Sequence, residues 1–395
     1  MGCFQSKDSR ASKYAVPGSV EDDAKSPAKA AAGSGATAAA SKPTGGIANL
    51  PRPKLDPKDF RFVELKGEVR VKPPGSINGQ AFTIDNCHDC DLYVVDACGQ
   101  VTIDDCKNCR IFVGPTDGAV FIRNSSNCTL VAVCRQLRTR DCNNCRLALY
   151  CRTRPIVESS SNMQFTCFDM SYPQLAEHMK HSKLSAFHNF WWHIYDFTPK
   201  DGNWDLLPAG TTAAASLLQP IPQEPADVLA GKPPAPPAPA AAEAGEQQEG
   251  GGQQPAAAEP PAAAAPAPAE PSPVLATYGG RAGRPAGSYI FALFEGGKQE
   301  AALRLARKAA EQGWLLYTNE AKLNGEAAGQ LVGEAGWPKA AAKALSAPGT
   351  AAVGLELVVP EAEADAFKKQ LTDVGGLVSA SEAPGKTFRT MGVDG

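Results

Sequence analysis

The amino-acid sequence predicts a multidomain chain with an all-β parallel β-helix, a linker and an α/β domain of ferredoxin-like type. Three observations predict this order. A short phrase recurs at a nearly fixed step between residues 82 and 167. A long stretch dominated by Ala, Pro, Gly, Glu and Gln comes later in the chain. The final segment then alternates strand-like and helix-like patterns, which is typical of a compact α/β domain.

The repeated phrase occurs as IDNCHDC, IDDCKNC, IRNSSNC, TRDCNNC and VESSSNM. Its leading Cys or Ser advances by 19, 19, 17 and 18 residues, and a short apolar run follows every copy. A unit this short cannot bury its own apolar side, so it must stack on its neighbours. Strand-like runs broken by Asp and Asn at this period predict a coil of three short strands per turn. The predicted structure is therefore a parallel β-helix.

The cysteines of the repeats allow two interpretations. Cys87, Cys90, Cys106 and Cys109 have the paired Cys-x-x-Cys spacing of a zinc site. However, Ser or Met replaces the cysteines in two of the repeats, which a set of metal ligands could not allow. We therefore favour a column of small, inward-facing thiols, with Asn and Asp at the corners where the backbone turns tightly. Neither a metal nor disulfides are expected.

Composition and charge exclude several classes of function. The net charge of −3 implies no general attraction to nucleic acid. No apolar run reaches the roughly 18 residues needed to span a bilayer, and no secretory signal core is present. We expect a cytosolic chain whose 12 cysteines are reduced. No Ser-His-Asp order, Cys-His order or pair of catalytic carboxylates is evident in the sequence.

The chain opens MGCFQSK, which predicts attachment to a membrane. Gly2, once Met1 is removed, and Ser6 fit the N-myristoylation pattern, and Cys3 is a palmitoylation candidate. A single myristoyl chain binds only marginally, so Cys3 would supply the second anchor. The alternative is an ordinary amino terminus that begins Met-Gly. Residues 1–53 are expected to be an acylated, flexible tether.

The remaining boundaries follow from composition and periodicity. The β-helix domain is expected over residues 54–208, and its aromatic segment 168–208 is expected to form an irregular or helical cap. Residues 209–285 are expected to be a disordered linker rich in Pro and Ala. Residues 286–395 contain four predicted strands, in SYIFALF, WLLYTNE, AAVGLELVV and LVSAS, and two predicted helices, which indicate the ferredoxin-like α/β domain.

Superposing the repeats predicts which side chains face solvent. The positions three and five before each leading Cys or Ser must face the core, so those two and four before it face outward. With turns about 4.8 Å apart, Arg140 is expected to lie between Arg123 and Glu158. Gln136, Arg138 and Arg140 are expected to project in a row from one strand. This row is either a solvated polar face with a structural Arg–Glu pair or a guanidinium group presented to a phosphate.

Several motifs resemble one known family. They are LDPKD from Leu55, QLRTRDC from Gln136, PIVESSS from Pro155 and DFTP from Asp196. Over about residues 54–208 the chain resembles the tubulin-binding cofactor C-like domain family, whose domain is a right-handed parallel β-helix. The order of MGCF, this domain, a linker and an α/β domain is similar to that of a family member whose last domain is nucleoside-diphosphate-kinase-like.

The resemblance implies a GTPase-activating protein for an Arf-like small GTPase in its GTP form. Arg138 would be the arginine finger, and Gln136 matches a glutamine of the family. Glu158 and Arg140 would position the finger or contact the partner, and Phe197 would pack at the interface. The protein would bind no cofactor of its own, since the partner GTPase would hold GTP and Mg²⁺.

One position departs from the family pattern. The family usually has two glutamines before the hydrophobic-Arg pair, and Arg135 stands where the first belongs. Arg135 is therefore expected at the partner interface, and it puts the full rate enhancement in doubt. A catalytically silent scaffold, which delivers lipidated cargo or docks a GTPase at a membrane, is the alternative. A nucleoside diphosphate kinase needs a phosphoryl-accepting His in the last domain, and no His follows His193.

The resemblance also implies a place in the cell. The protein would act at the cytoplasmic face of the plasma membrane and at the cilium and basal body, in the ciliary trafficking of lipidated proteins. Tubulin-related or ciliary transport proteins would be further partners. No nucleic acid is expected among them.

Overall fold

The structure is a computed structural model that describes residues 56–211 and 272–393. In residues 56–211, after a 3₁₀ turn at Pro57–Phe60, twelve strands form one sheet that coils on itself. They are β1 (Arg61–Val63), β2 (Val69–Lys72), β3 (Phe82–Asp85), β4 (Asp91–Val94), β5 (Val101–Asp104), β6 (Arg110–Arg123), β7 (Thr129–Arg140), β8 (Asn143–Cys151), β9 (Ile156–Glu158), β10 (Ser161–Cys167), β11 (Tyr195–Asp196) and β12 (Trp204–Leu206). The predicted tether and most of the predicted linker lie outside the described residues.

The strands stack in two parallel columns. One column runs through β1, β3, β5, β6, β7, β9 and β11, and the other runs through β2, β4, β6, β7, β8, β10 and β12. The register follows the sequence period, since Ile84 lies beside Ile103 and Ile103 beside Ile122. Strands β6 and β7 are long enough to bend around a corner and serve both columns. The predicted parallel β-helix is confirmed.

The interior of the coil is filled by the positions that the repeats predict. Apolar side chains such as Phe82, Val101 and Leu137 are almost completely buried. Eleven cysteines lie in the described part of the chain, and each is buried and free. Their thiols donate to nearby carbonyl groups, as Cys106 Sγ does to Asp104 O at 3.2 Å. Burial raises the pKa of Cys142 to about 12, so this thiol stays protonated at neutral pH.

Asn and Asp occupy the corners, as predicted. Asn108, Asn127, Asn144 and Asn162 all have positive φ, between 52° and 54°, a conformation that Asn tolerates better than most residues. Their side-chain amides form a ladder along the coil, because Asn144 Nδ2 donates to Asn127 Oδ1 at 2.7 Å and Asn162 Nδ2 donates to Asn144 Oδ1 at 2.8 Å. The ladder ties successive turns together at one edge.

The aromatic segment 168–208 packs both on the outside of the coil and into its interior core. Helix α1 (Leu175–His181) belongs to a cluster on the outer side of the second column, where Phe112 and Tyr172 meet edge to face with ring centroids 5.9 Å apart. Trp191 instead packs into the interior core and is fully buried. Strands β11 and β12 continue the two columns. The segment therefore covers one side of the coil, adds strand pairs to it and contributes to its core.

Residues 288–379 form a second sheet with the strand order β14-β15-β13-β16, and every neighbouring pair is antiparallel. Its strands are β13 (Ser288–Phe294), β14 (Leu315–Ala321), β15 (Ala352–Val359) and β16 (Leu377–Ser379). The described helices here are α2 (Gln299–Glu311), α3 (Gly325–Ala335), α4 (Ala340–Leu345), α5 (Glu361–Asp373) and α6 (Glu382–Arg389). The four predicted strands and the helices α2 and α5 are all present, so the ferredoxin-like arrangement is confirmed.

Helices α3, α4 and α6 were not predicted. Helix α3 has clear termini, because the side chain of Asn324 accepts a hydrogen bond from Ala327 N and Gly336 ends the helix in the left-handed conformation. Helix α6 begins after Ser381, whose side chain accepts from Ala383 N. In the described residues, no helix is long and apolar enough to cross a membrane.

The two sheets share packing. Phe187, from the aromatic segment, and Leu275, from the predicted linker, are buried in the core of the ferredoxin-like domain. Thr318 Oγ1 donates to Phe187 O at 3.0 Å, and Ser185 Oγ donates to Glu320 Oε2 at 2.6 Å. Residues 272–285 therefore pack against folded structure, although their composition placed them in the linker.

Candidate functional site

The outward face of the first column places Arg138 at the centre of a row. Arg138 lies beside Phe121 of β6 on one side and beside Ile156 of β9 on the other. Tyr195 of β11 follows Ile156 in the same row. Phe121 and Ile156 are half-buried, whereas Arg138 is exposed. A cationic side chain thus stands on a rigid strand between two apolar neighbours.

The Arg138 side chain has no polar partner among the described residues. Across residues 56–211 and 272–393 it forms neither an ion pair nor a hydrogen bond. Gln136 is two residues earlier on the same strand and is half-buried. It too has no side-chain hydrogen bond to any described residue. The five guanidinium donors of Arg138 are therefore available to an external acceptor.

A second outward row contains the charged residues. Arg140 lies between Arg123 and Glu158, as the repeats predict. Arg123 makes a bidentate contact with Asp104, through Nε at 2.7 Å and Nη2 at 2.6 Å. Arg140 Nε is 3.3 Å from Asp141 Oδ2, and among the described residues it forms no ion pair with Glu158. The structural Arg–Glu pair that the polar-face interpretation requires is not formed here.

Arg135 is held away from this arrangement. Its Nε donates to Asp117 O at 2.5 Å and its Nη2 donates to Asp117 Oδ1 at 2.5 Å. Lys183 Nζ also lies 3.4 Å from Asp117 Oδ2. The Arg135 guanidinium, with a smaller effect of Lys183, holds the pKa of the Asp117 carboxyl below its usual value. Arg135 therefore forms an ion pair with Asp117, whereas Arg138 and Glu158 form no ion pair with any described residue.

Phe197 lies at the end of the charged row. Its backbone N donates to Val157 O at 2.8 Å, which sets the residue beside Glu158. The ring is 52% exposed and meets the Tyr195 ring edge to face, with centroids 4.9 Å apart. Arg154 stacks on Tyr195 at 5.0 Å from its centroid. Phe197 and Tyr195 are the exposed large hydrophobic side chains of the described chain.

Sequence reasoning missed Tyr195 and Arg154 as members of this surface. Tyr195 directly precedes the DFTP motif, and it would have been found by extending the outward row one turn beyond Ile156. The structure thus brings Gln136, Arg138, Arg140, Glu158 and Phe197 onto one face. Gly2 and Cys3 lie outside the described residues.

The described residues contain no group of three or more His, Cys, Asp or Glu side chains placed to hold a metal ion. His178 is engaged within the fold, because its Nδ1 is 2.8 Å from Tyr172 Oη and its Nε2 is 3.4 Å from Asp96 Oδ1. Burial lowers the pKa of His178.

Comparison with known proteins gives one family and one set of relatives. Residues 79–197 match the family model of tubulin binding cofactor C. Over 174 residues the chain is 50% identical to Protein XRP2 of Danio rerio, and this match covers 44% of this chain and 46% of that protein. Over 210 residues it is 46% identical to Protein XRP2 of Homo sapiens, and this match covers 53% of this chain and 54% of that protein. XRP2 is the retinitis pigmentosa 2 protein, so the resemblance that the motifs indicate is confirmed.

The extent of these matches is limited. The chain spans about half the length of the curated relatives it matches. Among solved structures, tubulin binding cofactor C from Leishmania major is 21% identical and covers 36% of this chain and 89% of that chain, with a TM-score of 0.26.

Proposed function

We propose that this chain, which carries a tubulin binding cofactor C domain over residues 79–197, activates GTP hydrolysis by an Arf-like small GTPase. Arg138 supplies the arginine finger in trans. The observation that carries the proposal is the exposed Arg138 guanidinium, which has no partner among the described residues and stands on a strand hydrogen-bonded on both sides. A polar side chain with a purely structural role would be expected to hold a neighbour.

The chemistry suits an arginine. In phosphoryl transfer, negative charge is spread over the oxygens of the transferred group, and a finger supplied in trans contributes about 10³ to 10⁵ in rate. The planar guanidinium presents a fork of donors that an ammonium group cannot reproduce. The partner GTPase holds GTP and Mg²⁺, so this chain needs only to place Arg138 beside the γ-phosphate.

The neighbours of Arg138 have supporting roles. Gln136, on the same side of β7, orients the finger or the partner's nucleotide-binding loops. Glu158 and Arg140 form a charged edge that contacts the partner. Phe197, with its exposed ring, packs against the partner at the end of that edge. The β-helix backbone holds all of these groups in fixed register, which limits the ordering that association requires.

Arg135 does not act as a second finger in this proposal. Its guanidinium is paired with Asp117, so its charge is partly neutralised before a partner arrives. Its contribution at the interface is through the Asp117 pair rather than through a free cation. The proposed site thereby tolerates an arginine at position 135, where the family usually has a glutamine.

The amino terminus sets the location of the activity. Myristoylation at Gly2 and palmitoylation at Cys3 anchor the chain to the cytoplasmic face of the plasma membrane. There, and at the cilium and basal body, activation of the GTPase ends its GTP-bound state and thereby regulates the release of lipidated cargo in ciliary trafficking.

Single-turnover GTP hydrolysis by a panel of Arf-like proteins tests the proposal. With saturating full-length chain, we expect Arg138→Ala to lower stimulated hydrolysis by about 10³-fold or more. Arg138→Lys is expected to rescue little of this loss. Arg140→Ala is the matched control, since it removes an exposed guanidinium two residues away, and its effect should be much smaller.

Circular dichroism of each variant checks that the fold is intact. Stimulation by Arg138→Ala equal to that by the parent chain would reject the finger. If the parent chain binds a GTP-loaded partner but stimulates none of the panel, the catalytically silent scaffold takes its place.

A further inference from the structure

A cavity of about 150 Å³ lies where residues 278–284 meet β14 and α6. Four of the side chains that line it are cationic, namely Arg281, Arg284, Lys386 and Arg389. Its volume is below the roughly 300–1,000 Å³ of pockets that enclose drug-sized ligands. It therefore suits a small polyatomic anion rather than a whole nucleoside. None of its lining residues belongs to the candidate site around Arg138.

Arg281 is the unusual member of the group. It is half-buried and stacks on Trp191, with its guanidinium carbon 4.5 Å from the ring centroid. Its hydrogen bonds go to Leu207 O, Thr277 O, Tyr278 O and Thr166 Oγ1. All four acceptors are neutral, and burial is the largest effect on Arg281, lowering its pKa, with the charge of Asp169 among the smaller opposing effects. A cation withdrawn from water without a hydrogen-bonded counter-ion is costly, and an anion beside it would offset that cost.

The other three cations are only partly neutralised. Arg284 and Lys386 both contact the same carboxylate, Glu382, at 2.8 Å and 2.9 Å. Arg389 pairs with Glu356 through its Nε at 2.7 Å, and its guanidinium carbon lies 3.7 Å from the Tyr317 ring centroid. Two carboxylates thus form ion pairs with three of the four cations, so the lining of the cavity carries an excess of positive charge.

The loop that carries Arg281 is fixed by close packing. Gly279 adopts a φ of +67°, and a Cβ added there would come within 2.6 Å of Trp191 and 2.8 Å of Trp192. Only glycine fits this close approach. Gly279 N also donates to Leu316 O at 2.9 Å, which ties the loop to β14. The guanidinium is therefore held in place before any ligand binds, which reduces the entropy lost on binding.

We propose that this cavity binds the phosphate group of a small soluble phosphate monoester. Arg281 and Lys386 contact its oxygens from two sides, and Arg284 is shared between the phosphate and Glu382. The site joins the loop 278–284 to the ferredoxin-like domain, so occupancy stabilises the packing between that domain and the β-helix. This assignment is independent of GTPase activation.

The test uses the purified full-length chain. Isothermal titration calorimetry with inorganic phosphate, at constant ionic strength, should show binding, and the melting temperature should rise with phosphate but not with matched chloride. Lys386→Gln should raise the Kd about tenfold, the effect of losing one charge-assisted contact. Glu382→Gln should lower the Kd, because it removes the competing carboxylate. Lys339→Gln, at an exposed lysine outside the cavity, should leave the Kd unchanged.

The opposite signs at Glu382 and Lys386 separate a local site from a general effect of charge or stability. Equal melting temperatures in phosphate and chloride, or the same Kd for Lys386→Gln and Lys339→Gln, would overturn the site. Glycerol 3-phosphate and vesicles of phosphatidylcholine with phosphatidic acid distinguish the source of the phosphate. Binding of glycerol 3-phosphate supports the proposal, whereas binding to the vesicles without any response to either soluble phosphate rejects it.

Discussion

Arg135 and Asp117 are joined by two hydrogen bonds between β7 and β6, one to the backbone carbonyl and one to the carboxylate of Asp117. Three residues further along β7, Arg138 forms no such contact with any described residue. The guanidinium groups of these two arginines on one strand therefore differ in whether they are available to a binding partner. The pair also accounts for how a cation can occupy the position of a glutamine beside the proposed finger without adding a free charge there.

Replacing Arg135 by Gln restores the usual glutamine of the family. Because the Arg135 guanidinium is already committed to Asp117, we expect stimulated GTP hydrolysis to change by less than about tenfold, far less than for Arg138→Ala. Stability should fall by no more than about 1 kcal/mol, since the pair is partly exposed. Single-turnover hydrolysis and urea unfolding measure the two effects. A loss as large as that of Arg138→Ala would mean that Arg135 itself contacts the nucleotide.

Cys106 provides a test of the interior column. Its side chain is fully buried, so Cys106→Tyr forces a large ring into a packed core and should cost on the order of 1–3 kcal/mol or more. Cys106→Ser is the matched control. Ser125 and Ser160 occupy equivalent positions, where each hydroxyl donates to a carbonyl two residues earlier at 2.8 Å.

Urea unfolding should therefore show Cys106→Ser close to the parent chain and Cys106→Tyr well below it. Stoichiometric zinc in the purified protein, with unfolding on chelation, would contradict the structural interpretation of these cysteines.

Periodicity explains why the β-helix and much of the candidate site could be predicted. Once Ile84, Ile103 and Ile122 are superposed, the parallel register places Arg140 between Arg123 and Glu158 without further information. Strand alternation then directs these charges outward. The same period shows where Asn adopts positive φ at the corners.

The remaining contacts have no such period. The pairing of β6 with β7 is irregular between Val113 and Ala119, so the contact of Arg135 with Asp117 could not be located by superposing repeats. Val274 and Leu275 are buried by residues distant in sequence, while their own neighbours have the composition of a linker. Helix α6 was missed because Pro384 and Gly385 lie within it, although Pro is tolerated in a first helical turn.

Gly2→Ala tests membrane anchoring. It removes the acceptor for myristate, so in cells we expect the protein to move to the soluble fraction. Cys3→Ser should leave weak binding that washing removes, because one myristoyl chain anchors only marginally. Fractionation of cells that express each variant measures both effects. An unchanged membrane fraction for Gly2→Ala would reject the acylated anchor.

Phe197 should determine affinity rather than rate. Its ring is 52% exposed and rests on Tyr195, so it offers apolar area to a partner without supporting the core. Truncating an aromatic hot spot of an interface commonly costs about 2 kcal/mol or more. We therefore expect Phe197→Ala to raise the concentration of this protein that gives half-maximal stimulation by about 30-fold. The maximal rate should be unchanged, because Arg138 still reaches the phosphate.

Lys200→Ala, at an exposed residue three positions on, is the control and should alter neither quantity. If Phe197→Ala lowered the maximal rate without shifting the half-maximal concentration, the ring would act on the finger and not on the docking of the partner.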